Sequence, residues 1–197
     1  MRVVAGIAKG RRLKGPKTEG TRPIIDRVKT ALFDILSWRV EDVRFLDLFA
    51  GVGGVGIEAL SRGAAAATFV ELDPTALALV RENLEHTRLA ASAETVRGDA
   101  FAFLKSAASQ GRRYDMVYVA PPQYQGLAAR AVAALDDAPL TEPGGMVIAQ
   151  VHPREGAELD ALALTRLRRT DQRTYGSTLL VFYEHAAPPA DPSATIP

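Results

Sequence analysis

Gly51, Gly53 and Gly56 stand at G-x-G-x-x-G spacing, directly after the apolar run Phe45-Leu46-Asp47-Leu48-Phe49-Ala50. They open a second run, through Ile57-Glu58-Ala59-Leu60, that reads as an amphipathic helix. Glycines at such a junction let the backbone turn tightly and approach a ligand closely, as nucleotide-type cofactors require. Glu71 follows the first of these glycines by 20 residues, where a carboxylate accepts hydrogen bonds from ribose hydroxyls. Asp99 precedes another helical run, and two readings stay open for it: helix N-cap, or acceptor for an adenine amino group. Asp73, directly before Pro74, reads as a cap alone. Further on, Ala120-Pro121-Pro122-Gln123-Tyr124 sets fixed backbone carbonyls beside an aromatic face, which is what holding a planar, amine-bearing base requires. A nicotinamide dinucleotide fits the glycines formally, but no histidine is placed as a proton relay and nothing marks a hydride acceptor.

These residues need a scaffold that brings them to one edge. Strand signals at 45–50, 67–71, 94–97, 114–119 and 145–150 alternate with helical runs, and 162–168 and 178–184 read as a closing strand pair. Repeated β-α-β units of this length predict an α/β fold: a doubly wound, seven-stranded, mostly parallel sheet of the Rossmann-like kind. In such sheets ligands sit beyond the carboxyl ends of the strands. Asp47, Glu71, Asp99 and the 120–124 turn all fall at such ends. Before this core, residues 2–20 read as short strands and turns, and Arg22-Pro23 opens a helix carrying Val28, Leu32 and Leu36. The division expected is a basic arm and helix over 1–37, a catalytic domain over 38–185 and a disordered, Pro/Ala-rich tail over 186–197.

The chain of 197 residues is 47% hydrophobic and 24% charged, so it can bury a proper core. It has no cysteine, and its three histidines show no ligand spacing, so no metal is expected. No apolar run reaches the length of a membrane span and the N-terminus makes a poor signal peptide, which suits a cytoplasmic protein. Nothing demands more than a monomer. The formal net charge of +1 conceals an asymmetry: residues 1–30 hold nine Lys/Arg against two acids, a net of +7, and the remaining 167 hold a net of −6. A basic arm on a mildly acidic body points to a polyanionic partner.

The chain resembles bacterial small-subunit (16S) rRNA guanine-N2 methyltransferases. The likeness is carried by Gly6-x-x-Lys9-Gly10-Arg11-Arg12-Leu13, Arg22-Pro23 with Asp26-Arg27-Val28, Leu46-Asp47-Leu48-Phe49-Ala50-Gly51, Gly56 and Glu58-Ala59-Leu60-Ser61-Arg62-Gly63. The resemblance implies a class I methyltransferase using S-adenosylmethionine, with Asp47, Gly51 and Gly53 at its methionine part, Glu71 at the ribose and Asp99 at the adenine. Phe49, Gly56 and Ala100 belong to the same implied pocket. It also implies that Lys9, Arg11, Arg12, Lys14, Arg22 and Arg27 grip small-subunit rRNA or a ribosomal particle while the target guanine is turned into the cleft. The family's motif after the fourth strand is Asp- or Asn-Pro-Pro followed directly by an aromatic residue. Here Ala120 stands first and Gln123 displaces Tyr124 by one. The expected replacement acceptors are the Pro121 carbonyl and the Gln123 amide oxygen, with Tyr124 stacking on the base. The alternatives are a weakened or silent rRNA-binding assembly factor, and a methyltransferase acting on adenine N6.

Overall fold

The computed structural model describes residues 1–15, 26–138 and 140–186. Their order is α1 (Asp26–Leu36), β1 (Arg44–Asp47), α2 (Gly54–Ser61), β2 (Ala66–Glu71), α3 (Pro74–Thr87), β3 (Ala93–Arg97), α4 (Ala100–Ser109), β4 (Tyr114–Val119), α5 (Leu127–Asp137), β5 (Thr141–Val151), α6 (Gly156–Asp160), β6 (Leu167–Tyr175) and β7 (Thr178–His185). The strands form one sheet of seven, in the order β3-β2-β1-β4-β5-β7-β6. All pairings are parallel except those of β7, which runs antiparallel to both β5 and β6. From β1 the chain winds outward through β2 to β3, then crosses back to lay β4 on the other side of β1. That reversal is the switch point, and it opens a crevice above the ends of β1 and β4.

Strand periodicity explains the two faces. Phe45, Phe69, Met116, Tyr118, Ile148 and Phe182 point to one side and join α1, α2 and α3 in a single core. Leu46, Val70, Val117, Val119, Val147 and Val181 point to the other and pack against α4, α5 and α6. Strands buried on both faces carry the continuous apolar runs that mark a parallel sheet. The arm shares the first core through Val3, Ala8 and Leu13.

Several expectations change here. The α2 run is not amphipathic: every residue from Gly54 to Ser61 is buried, because arm, sheet and neighbouring helices enclose it. The strand expected at 162–168 begins instead at Leu167 and continues through exposed, charged residues to Tyr175. Leu162 and Leu164, within the span expected to be a strand, pack on the second core from the connection after α6. β6 is an edge strand, and its exposed charges discourage pairing with another chain. The helix start expected at Arg22-Pro23, and the tail beyond Ala186, lie outside the described residues. Among the described residues no helix is long and apolar enough to cross a membrane.

Candidate active site

Asp47 ends β1 fully buried, and its Oδ2 accepts the Gly56 N–H at 3.0 Å. The turn after it needs glycine at two points, since Gly51 has φ 54° and Gly53, the N-cap of α2, has φ 80°. Glu71 closes the turn from the next strand: Oε2 accepts the Gly51 N–H at 2.7 Å and Oε1 the Asp73 N–H at 2.9 Å. No cation accompanies Asp47 among its described partners. Burial, partly opposed by the Gly56 bond and reinforced by the Glu71 charge, lifts its carboxyl from the usual carboxylate range to about 7.

Gly56 packs where no side chain fits. A Cβ there would stand 2.4 Å from Cε1 of Phe69, so its bareness lets α2 lie on β2, and its N–H serves Asp47. It thereby ties α2 to both β1 and β2. Asp73 caps α3, accepting from the Thr75 N–H at 2.8 Å. Asp99 caps α4: its Oδ1 accepts from Phe101 and Ala102 at 3.0 and 2.9 Å, and Ala100 behind it is buried. Phe49 is half-buried and meets Phe101 edge-on, with ring centroids 6.3 Å apart. The Arg130 guanidinium lies 3.7 Å from the Phe101 centroid, so three residues from three loops and helices wall one flank of the crevice.

The other half of the crevice follows β4. Ala120 is half-buried and packs against the first core. Pro121 is half-buried, and Pro122, Gln123 and Tyr124 are exposed. Tyr124 is 61% exposed and holds a left-handed φ of 62°, a conformation that costs a residue with a Cβ and needs outside support. Glu155 supplies it by accepting the Tyr124 N–H at 2.8 Å. The same carboxylate accepts the His152 N–H at 3.2 Å, and the His152 ring lies 5.4 Å from that of Tyr124. Behind the turn, the buried Tyr118 hydroxyl donates to Gln150 Oε1 at 2.6 Å. Burial first, then the Asp47 charge, pushes its pKa well up, so it stays a neutral donor.

The arm folds back on itself, with Val3 and Arg11 joined by an N–H···O bond of 2.9 Å and Arg2 bridged to Arg12. It is seated on α2 and α3. The Val4 and Ala5 N–H groups donate to Glu58 at 2.8 and 2.9 Å, and Glu58 also meets Lys29 at 3.0 Å and Arg62 at 2.9 Å. Gly6, at φ 77°, passes so close to α2 that a Cβ would fall 1.7 Å from the Ser61 carbonyl oxygen. Of the basic residues proposed for a polyanion, Lys9, Arg12, Lys14 and Arg27 are exposed. Arg11 is half-buried and donates to the His86 carbonyl, Lys14 pairs with Glu82 at 2.9 Å, and Arg22 lies outside the described residues.

Reasoning from sequence therefore found the residues at the strand ends. It missed Glu58, Asn83, Phe101, Arg130 and Glu155, whose contacts cross long stretches of chain. Only Glu58 stood inside a motif already singled out.

A seven-stranded sheet with β7 antiparallel between β5 and β6, a glycine turn after β1 and an acid ending β2 define the class I methyltransferase fold. The chain belongs to the family described as Conserved hypothetical protein 95, whose model matches residues 1–184. It is similar to Ribosomal RNA small subunit methyltransferase D of Escherichia coli K12, 39% identical over 137 residues, which cover 70% of this chain and 67% of that protein. YlbH of Bacillus subtilis is 36% identical over 93% of this chain and 98% of its own length. Among solved structures, yhhF of Escherichia coli superposes with a TM-score of 0.81 at 30% identity, covering 95% of this chain and 99% of that one.

Proposed function

We propose that this protein is an S-adenosylmethionine-dependent methyltransferase that methylates the exocyclic N2 of a guanine in small-subunit rRNA. The observation that carries the reading is the seating of a basic arm on α2 and α3, the two helices that flank the glycine turn. Polyanion grip and cofactor turn are thus built against each other. The relative of known name acts on small-subunit rRNA, and the cleft suits the cofactor. Asp47, a buried carboxylate with no cation among its described partners, suits a positively charged ligand, and Glu71, beside the glycine turn, supports a role toward the ribose hydroxyls. Asp99 and Ala100 at the head of α4, with Phe49, border the adenine side.

When bound, S-adenosylmethionine supplies a methyl group on a positively charged sulfur. The chain's own residues have three tasks. The Pro121 carbonyl and the Gln123 amide oxygen accept from the guanine amine, returning to N2 electron density that the ring withdraws. Tyr124, presented by Glu155, stacks on the flipped base. The arm, with Lys9, Arg12, Lys14 and Arg27 exposed, holds the surrounding phosphates. With S-adenosylmethionine bound, N2 would take its methyl group, leaving the bonding pair on sulfur, and would give up one proton to water. Positioning supplies much of the rate. Family likeness favours an assembled small-subunit particle over naked rRNA, and a site built from one chain suits a monomer.

Small subunits from a host lacking the gene provide the test. Incubation with the protein and cofactor should give one N2-methylguanine per small-subunit rRNA by nucleoside mass spectrometry. Methyl groups on adenine N6, or tight rRNA binding with no transfer, would replace this reading. Gln123→Ala should slow single-turnover transfer; an unchanged rate removes Gln123 as the substitute acceptor.

A further inference from the structure

Asn83 sits on α3 with its side chain fully buried, where an unsatisfied carboxamide would be costly. Its Nδ2 donates to the Val52 carbonyl at 3.0 Å and to the Lys14 carbonyl at 3.0 Å. Its Oδ1 accepts the Lys14 N–H at 2.7 Å. One side chain therefore holds the arm by both polar groups of a single residue and holds the glycine turn by a third bond. Val52 is the residue between Gly51 and Gly53, both left-handed, so its peptide units sit between the turn's two least restricted residues. Asn83 is what anchors the Val52 carbonyl.

We propose that Asn83 is a positioning residue coupling the arm to the cofactor turn, so that rRNA and cofactor each bind more tightly when the other is present. This rests on the arm being the rRNA-contacting surface. The two bonds to Lys14 fix the plane of the carboxamide, and that plane aims Nδ2 at Val52. An arm that leaves α3 strips Asn83 of two of its three hydrogen bonds and loosens the turn. The basic residues nearest this link grip the same helix: Lys14 pairs with Glu82 and Arg11 donates to the His86 carbonyl. A polyanion that orders the arm acts on α3 on either side of Asn83. Linkage makes the effect equal in both directions.

Equilibrium dialysis of radiolabelled S-adenosylhomocysteine, with and without saturating unmodified small subunits, measures the coupling. In the wild type the subunits should tighten binding by about 5-fold or more. Asn83→Asp keeps the size and the acceptor but loses both donated bonds, and its ratio should fall to about one. A wild-type ratio of one, or an unchanged ratio in a folded Asn83→Asp variant, overturns the coupling. Hydrogen exchange on the wild type needs no variant: saturating S-adenosylhomocysteine should slow the Lys14 amide, and an unaltered rate also overturns it. Arg12→Glu separates the two readings. If charge reversal leaves small-subunit binding unchanged, the arm is not the rRNA surface and the functional reading falls with the inference. If binding weakens while the ratio stays at one, only the coupling fails.

Discussion

Asp47 and Glu58 are both buried carboxylates, and their company could hardly differ more. Glu58, under the arm, is met by Lys29, Arg62 and the N–H groups of Val4 and Ala5, all within 3.0 Å. Asp47, in the cleft, has the Gly56 N–H and the repelling neighbour Glu71. An acid whose charge is met on every side is a fixed joint. An acid buried with too few partners stores a demand for positive charge, and such demands mark functional sites. Side by side, the pair separates the acid that holds the arm from the acid proposed to meet the cofactor.

The sharpest way to break this contrast is to remove Lys29. Both members of the Lys29–Glu58 pair are fully buried, so Lys29→Met leaves a buried anion with less compensation. The expected loss is about 3–5 kcal/mol of unfolding free energy, read from urea denaturation, with the arm's amides exchanging freely. A loss below about 1 kcal/mol would mean that Arg62 and the two N–H groups satisfy Glu58 unaided.

Asp47 should respond to pH instead. Its folded-state pKa of about 7 lies above its unfolded value, so the folded chain keeps a proton that the unfolded chain has lost between roughly pH 4 and 7. Stability contributed by that proton is complete below the unfolded pKa and disappears as pH rises through 7, a fall of about 4 kcal/mol at most. Asp47→Asn should flatten this slope in thermal melts of the cofactor-free protein while weakening S-adenosylmethionine binding by on the order of 10-fold. A wild-type profile already flat from pH 4 to 7 would show that Asp47 is better compensated than its neighbours imply.

The same contrast explains what could be read in advance. β4 was expected at 114–119 and stands there, because alternating residues feed the two cores. Asp73 as a cap follows from a short spacing, whereas the bond from the Gly51 N–H to Glu71 spans 20 residues and was not read in advance. Charged joints leave no such trace. Glu58 meets Val4 across 54 residues and Asn83 meets Lys14 across 69, and neither pairing has a period. α2 looked amphipathic since Glu58 reads as solvent-facing until the arm is laid over it. β6 was displaced because an edge strand is polar, whereas the leucines before it belong to a packed connection.

At the 120–124 turn the charges again decide. Glu155 is buried and holds the Tyr124 and His152 N–H groups, and with them the left-handed backbone at Tyr124. Glu155→Ala should release the turn and lower kcat by roughly 10-fold, the scale of one charge-assisted hydrogen bond. S-adenosylhomocysteine affinity should not move, since no Glu155 contact reaches the glycine turn. A parallel fall in cofactor affinity would join the two halves of the cleft more closely than their hydrogen bonds do.

The mildest change tests Ala120. Ala120 follows β4, half-buried, its methyl against the core that Tyr118 and Met146 help to form. If that position faces the guanine amine, Ala120→Asn adds an acceptor to those proposed for Pro121 and Gln123. Single-turnover transfer should then hold or rise, by up to about 10-fold for one added hydrogen bond. If the side chain is committed to the core, the amide is buried without a partner and stability drops by about 1–3 kcal/mol with no gain in rate. Measuring the melting temperature together with transfer distinguishes the two outcomes, because a substrate-facing acceptor raises the rate at nearly constant stability and a core-facing one lowers stability at a constant or falling rate.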